Sequence, residues 1–117
     1  MKKRSDKSPH SNPVIQYVNL LIVDMIARDE KSMVLKESTV PILQYKQKLP
    51  VDPPDFDPIL NRLKIMSGLN PVKYPEPVDG TMSLTIGGTP YNVTTHFEDR
   101  DPEPFCTITL EQEGSQQ

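Results

Sequence analysis

The chain has few of the side chains and runs that disulfide, zinc or membrane proteins need. Its 117 residues include one cysteine, Cys106, and two histidines, so an internal disulfide is impossible and a structural zinc cluster has no candidate ligands. The first apolar run, residues 14–27, is interrupted by polar side chains and is too short to cross a bilayer. We therefore expect a cytoplasmic protein with no metal, no cofactor and no membrane insertion.

Length and charge restrict the fold and the partners further. With 117 residues the chain has room for one ordinary domain, whereas an eight-stranded α/β barrel needs about 250 residues. The formal net charge is −3, which gives no general attraction to nucleic acid. Nucleic acid is therefore not an expected partner.

The composition changes at both ends of the chain. Residues 1–11 hold charged and small polar side chains and no large apolar one, which predicts a disordered basic arm. Residues 12–111 are predicted to form the single domain, and residues 112–117 form a polar tail.

The first half of the domain predicts a helix, two short strands and a stiff connector. Ser11 or Asn12 is a suitable N-cap before Pro13, and apolar residues then recur at helical spacing to about residue 28. Residues 32–36 and 40–46 are strand candidates. The prolines of residues 49–55 predict an extended connector without ladder hydrogen bonds.

A second helix is predicted to begin at Asp55 or Asp57 and to stop at Gly68. Its apolar side is formed by Ile59, Leu60, Leu63 and Met66, with Leu69 nearby. Arg62 and Lys64 are expected to point outward.

The clearest local signal is a β-hairpin over residues 81–97. Gly87 and Gly88 allow the positive φ angles of a two-residue primed turn. That turn places Ile86 opposite Thr89, Leu84 opposite Tyr91 and Met82 opposite Val93. A last strand over residues 105–110 has Cys106, Ile108 and Leu110 on one face, which favours packing over nucleophilic chemistry for the cysteine.

The polar residues do not form a recognisable catalytic set. His96 stands near acidic residues, but a solvated strand end is the better interpretation than a general base or metal ligand. Alternating acids after it resemble a calcium loop without its glycine and distal glutamate. We expect no enzyme activity and interpret two regions as contact sites for a partner, the basic arm with Lys2, Lys3 and Arg4 and the acidic loop with Asp99, Asp101 and Glu103.

Several segments in order resemble one bacterial family. Residues 58–70 (PILNRLKIMSGLN) are similar to a family helix with the pattern RLKIMSGLD, and residues 18–26 (VNLLIVDMI) are similar to an opening helix, VNLLLxDAI. Residues 75–80 (PEPVDG) stand where the family has a LPQDGR turn, and residues 84–93 resemble its glycine-glycine hairpin. The chain thus resembles, over about residues 14–110, the N-terminal subdomain that precedes the motor in type II secretion and type IV pilus ATPases.

The resemblance implies an α+β fold similar to a PAS-like sandwich, with two main helices on an antiparallel sheet of about five to six strands. In the family, arginines of this subdomain reach nucleotide held by the motor. The corresponding places here look like Gln44, Lys46, Thr81 and Thr94, and the family's Asp-Ile-His strand appears as residues 33–35 (MVL). The chain also lacks the Walker motifs and the tetracysteine site of the motor.

These departures favour a stand-alone, non-catalytic relative that binds a protein. The expected partner is the assembly ATPase or another component of that secretion or pilus system. Two alternatives stay open. One is small-molecule sensing in a cavity of the sandwich, and the other is a nucleotide-responsive module that uses Lys46, Arg62 or Arg100.

Overall fold

The computed structural model describes residues 12–44, 50–51 and 53–113. Within these ranges the fold is α+β, as predicted, with two helices and a four-stranded antiparallel sheet. The elements in chain order are α1 (Pro13–Ala27), β1 (Ser32–Lys36), a 3₁₀ turn (Glu37–Thr39), β2 (Leu43–Gln44), β3 (Pro50–Val51), α2 (Phe56–Met66), β4 (Val78–Ile86), β5 (Thr89–Glu98) and β6 (Phe105–Gln112).

The main sheet has the strand order β1-β6-β5-β4, with every neighbouring pair antiparallel. It is smaller than the predicted five to six strands because β2 and β3 pair with each other in a separate two-stranded sheet. The second predicted strand, residues 40–46, is a strand at Leu43–Gln44, and residues 45 and 46 of that prediction lie outside the described residues.

The connector prediction is wrong at Pro50, which lies opposite Gln44 in the β2–β3 ladder. A proline has no N–H to donate, but its carbonyl can still accept, so it is tolerated at an edge or at the first position of a strand. A strand of two residues, beginning at the proline, meets that condition.

The helix ends follow their sequence signals. The Asn12 side-chain oxygen accepts from the backbone N–H groups of Val14 at 2.8 Å and Ile15 at 3.3 Å, and Pro13 occupies the first turn. At the end of α2, Gly68 has a φ of +83°, and the Leu69 N–H donates to the Lys64 carbonyl at 2.8 Å. The left-handed glycine and this hydrogen bond, which spans five residues, are typical of a helix C-terminus.

The hairpin has the predicted register, with Ile86 opposite Thr89, Leu84 opposite Tyr91 and Met82 opposite Val93. Gly87 and Gly88 both have positive φ, 60° and 83°, as a type I′ turn requires.

One apolar core joins both helices to one face of the main sheet. Tyr17, which is not among the residues predicted to form the core, is buried and donates from its hydroxyl to the Pro41 carbonyl. Burial, with a smaller contribution from the charge of Asp24, raises the pKa of Tyr17 to about 12. The fully buried large side chains include Tyr17, Leu21, Ile22, Met25, Leu35, Leu43, Ile59, Leu63, Val93, Phe97 and Ile108.

The other face of the sheet, which we call the open face, is mostly polar. The alternation of buried and exposed residues along each strand separates it from the core face. A row of small hydroxyl side chains crosses all four strands here, since Thr81 is opposite Thr94, Thr94 opposite Thr109, and Thr109 opposite Ser32.

Candidate functional site

Lys64 is the most unusual side chain of the described residues, because it is charged and only 2% exposed. The prediction that it points outward is wrong. It follows the buried Leu60 by four residues, so the helix places both side chains on the core side of α2.

The Lys64 ammonium group has two oxygen partners. Its Nζ lies 2.9 Å from Oδ2 of Asp99 and donates to the carbonyl of Val72 at 2.6 Å. The rings of Tyr74 and Phe97 lie 5.5 and 5.7 Å from the same atom, within the range of a cation–π contact. The charge is therefore held by a carboxylate, a carbonyl and two aromatic faces.

Asp99 is as fully buried as its partner. The side chains of Lys64 and Asp99 are each 3% exposed. Oδ2 of Asp99 also accepts from the backbone N–H of Tyr74 at 2.8 Å. The pair thus ties α2, the 70–74 segment and the end of β5 together. A buried pair of this kind costs desolvation, but the loss of one partner leaves the other charge unpaired and is strongly destabilising.

The acidic loop, residues 98–104, begins at this pair and is held at several points. Arg100 donates to both carboxylate oxygens of Glu98, at 2.6 and 3.1 Å, and reaches Glu76 at 3.4 Å. At the other end, a carboxylate oxygen of Glu103 accepts from the Ser38 hydroxyl at 2.8 Å and from its N–H at 3.2 Å. The fork onto Arg100 lowers the pKa of Glu98, and the Ser38 hydroxyl lowers that of Glu103.

A cavity of about 150 Å³ opens to solvent beside the pair. We call it the Lys64 cavity. Its polar lining has both signs of charge, from two lysines and two aspartates, together with the amide of Asn61. The lining residues are Asp57, Leu60, Asn61, Lys64, Pro71, Val72, Lys73, Asp99 and Pro104.

The predicted contact residues have different positions in the structure. Asp101 is exposed and Glu103 is half-buried, while the Asp99 carboxylate faces inward to Lys64 and is not free for a direct contact. Lys2, Lys3 and Arg4 lie outside the described residues. One sequence signal does indicate the site. Lys64 follows the apolar Leu60 by four residues, which places a lysine on the apolar side of the helix.

Three further residues had alternative chemical interpretations. His96 pairs with Asp79 across the hairpin at 2.6 Å and not with the acids that follow it in the chain. Cys106 is fully buried, as predicted, and burial raises its pKa to about 12, so its thiol is not a ready nucleophile. Within the described ranges, no three His, Cys, Asp or Glu side chains are grouped so as to hold a metal ion.

Of the three basic residues of the nucleotide alternative, the structure describes Arg62 and Arg100. Arg100 is engaged by Glu98 and Glu76. The Nε of Arg62 is buried without a hydrogen-bond partner, and Lys46 lies outside the described residues.

Comparison with known proteins gives no family. No protein-family model matches the chain, and no curated protein matches it. Separately, among the helices in the described part of the chain, none is long and apolar enough to span a membrane.

Proposed function

We propose that this chain is a non-catalytic protein-interaction domain and that the acidic loop is its principal contact surface. The observation that carries the proposal is the double anchoring of that loop, by Asp99 on buried Lys64 and by Glu103 on Ser38. An anchored loop loses little conformational entropy on binding, so more of the contact energy appears as affinity.

The chemistry of the exposed part indicates the type of partner. Asp101 is exposed between the anchors. The acids of this region outnumber the cations, because Glu76 and Glu98 share a single guanidinium, that of Arg100. A partner segment with lysine or arginine side chains fits this charge pattern. From the sequence resemblance, we propose that the partner belongs to a secretion or pilus assembly system and that the fold is a PAS-like sandwich.

Small-molecule sensing is the second candidate. The Lys64 cavity, at about 150 Å³, and a groove of about 240 Å³ beside β4 are both open to solvent. Both are smaller than the roughly 300 Å³ at which typical ligand pockets begin. The dimensions of these two cavities, both formed by described residues, therefore favour the protein-interaction function over sensing in either of them.

The partner proposal is tested by affinity capture from the source organism with four forms of the chain. These are the intact chain, a form without residues 1–11, Asp101→Lys in the acidic loop, and Glu111→Lys as a control at an exposed acid on the open face. We expect a secretion or pilus component to be retained by the intact chain and the control and lost with Asp101→Lys. Equal retention by Asp101→Lys, or capture of no such component, contradicts the proposal.

The non-catalytic part is tested by calorimetric titration of the intact chain with magnesium ATP and by an assay of phosphate release. We expect neither heat of binding nor hydrolysis. Micromolar binding of ATP would replace the proposal with the nucleotide-responsive alternative.

A further inference from the structure

Strand β4 forms a long edge of the main sheet that the sequence does not protect. It has nine residues and pairs on one side with β5, and no strand in the described ranges pairs with its other side. Edge strands usually carry lysine, proline or a bulge that blocks further pairing, yet residues 80–86 (GTMSLTI) contain no charge and no proline. The opposite edge differs, because β1 has five residues, ends at Lys36 and follows Lys31.

The hairpin register determines which backbone groups of β4 are available. In a two-residue hairpin, Ile86 and Thr89 form a hydrogen-bonded pair, and such pairs alternate with non-bonded ones along an antiparallel ladder. The N–H and C=O groups of Met82 and Leu84 therefore point to β5. Those of Thr81, Ser83 and Thr85 point to the free edge.

The sequence around Ser83 is nearly palindromic in its chemistry. Residues 81–85 read Thr-Met-Ser-Leu-Thr, so a two-fold axis at Ser83 places Ser83 opposite Ser83 of a second copy, and Thr81 opposite its Thr85. The same register places Gly80 opposite Ile86 of the other copy, and it keeps the two Asp79 carboxylates at opposite ends of the ladder. Each outward residue then exchanges backbone hydrogen bonds with its counterpart, as an isologous interface requires.

The core side of this edge is also suited to a second copy. A groove of about 240 Å³ lies between α1 and β4, lined by Asn19, Ile22, Val23, Leu84, Thr85 and Ile86. Val23 is 41% exposed, and Leu84 and Ile86 are only partly buried. A two-fold axis perpendicular to the sheet keeps both helical layers on one side. In the register about Ser83, Leu84 and Ile86 then lie opposite Met82 and Gly80 of the second copy, so each groove is covered in part by the start of the other copy's β4.

We infer that two copies of this chain associate through antiparallel pairing of their β4 strands about Ser83, which produces a continuous eight-stranded sheet from two four-stranded ones. This interface is formed by the free edge of β4, whereas the proposed partner contact lies in the loop between β5 and β6. The inference therefore does not depend on the proposed function.

Self-association is tested with the full chain by sedimentation equilibrium from micromolar to millimolar concentration. We expect the average mass to rise from 13.3 kDa toward twice that value. The variant Ser83→Lys should lose this rise, because it places two like charges directly opposite each other on the exposed face. The matched control is Val34→Lys on β1, which adds the same charge at a 49% exposed position of the other edge and should associate like the unchanged chain.

Amide hydrogen exchange provides a second measurement that does not depend on a substitution. The N–H groups of Thr81, Ser83 and Thr85 should become protected as the protein concentration rises, whereas those of Met82 and Leu84 should be protected throughout. The inference would be overturned by a mass of 13.3 kDa at every concentration. It would also be overturned if Ser83→Lys associated like the unchanged chain, or if β4 became protected only on addition of a different protein.

Discussion

The Nζ atom of Lys64 lies 2.9 Å from Oδ2 of Asp99, although the two residues are 35 positions apart in the chain. Both side chains are almost completely buried. Because their other contacts involve Val72 and Tyr74, the pair links α2 both to the 70–74 segment and to the acidic loop.

Removal of one charge of this pair should lower the free energy of unfolding more than removal of both charges. We expect Lys64→Met to lower the free energy of unfolding by about 3–5 kcal/mol, because the Asp99 carboxylate is left buried without its cation. The double variant Lys64→Met/Asp99→Asn should recover part of that loss, since asparagine retains an acceptor for the Tyr74 N–H without a charge. Urea denaturation of the two variants measures the difference, and equal stability of the single and double variants would contradict the pairing.

The carboxylates of the acidic loop should make stability depend on acid pH. Hydrogen bonds from Arg100 and Ser38 lower the pKa values of Glu98 and Glu103 below the ordinary 4.5. Below pH 4.5 the unfolded chain therefore binds more protons than the folded chain, and stability falls as the pH decreases through this range. Because both carboxylates keep contact with solvent, screening keeps the effect small.

This pH dependence can be assigned to individual residues by denaturation at neutral pH and at several acidic pH values. Arg100→Gln should remove the contribution of Glu98, and Ser38→Ala should remove that of Glu103. An unchanged slope of stability against pH in both variants would show that these contacts do not hold the loop.

Gly80 should not tolerate even one added methyl group. A Cβ atom built at this position lies 2.5 Å from Cβ and 2.9 Å from the backbone oxygen of Ser67, whose hydroxyl is bonded to that of Thr95 at 2.7 Å in the core. We expect Gly80→Ala to cost about 1–3 kcal/mol, as overpacking typically does. Thermal unfolding is the measurement, with Asn92→Ala on the exposed face as the control. A melting temperature unchanged from that of the original chain would contradict the close approach of β4 to the end of α2.

Much of the fold could be predicted from residues that are neighbours in the sequence. The Asn12 cap, the Gly68 stop and the Gly87-Gly88 turn each depend on the conformation of a few consecutive residues. The turn then determines the whole β4–β5 register, so Met82 and Val93 were correctly placed opposite each other. Cys106 was correctly placed in the core because strand alternation puts it on the face of Ile108.

The candidate site could be predicted only in part. The acidic loop was identified from its charges, but the opposite positions of Asp99 and Asp101, one buried and one exposed, are not visible in the pattern of acids. Lys64 was interpreted as a surface residue because lysines usually are. Its burial becomes favourable only where a carboxylate, a carbonyl and two rings from other segments surround it.

The sequence by itself determined the helices, the hairpin and its register, because caps, glycine φ angles and side-chain periodicity act over a few residues. Only the tertiary structure decided that β1 lies beside β6, that β2 and β3 form their own sheet, and that Lys64 meets Asp99. These contacts join residues far apart in the chain, and they form only when the burial of the common core compensates for the entropy of closing the intervening loops.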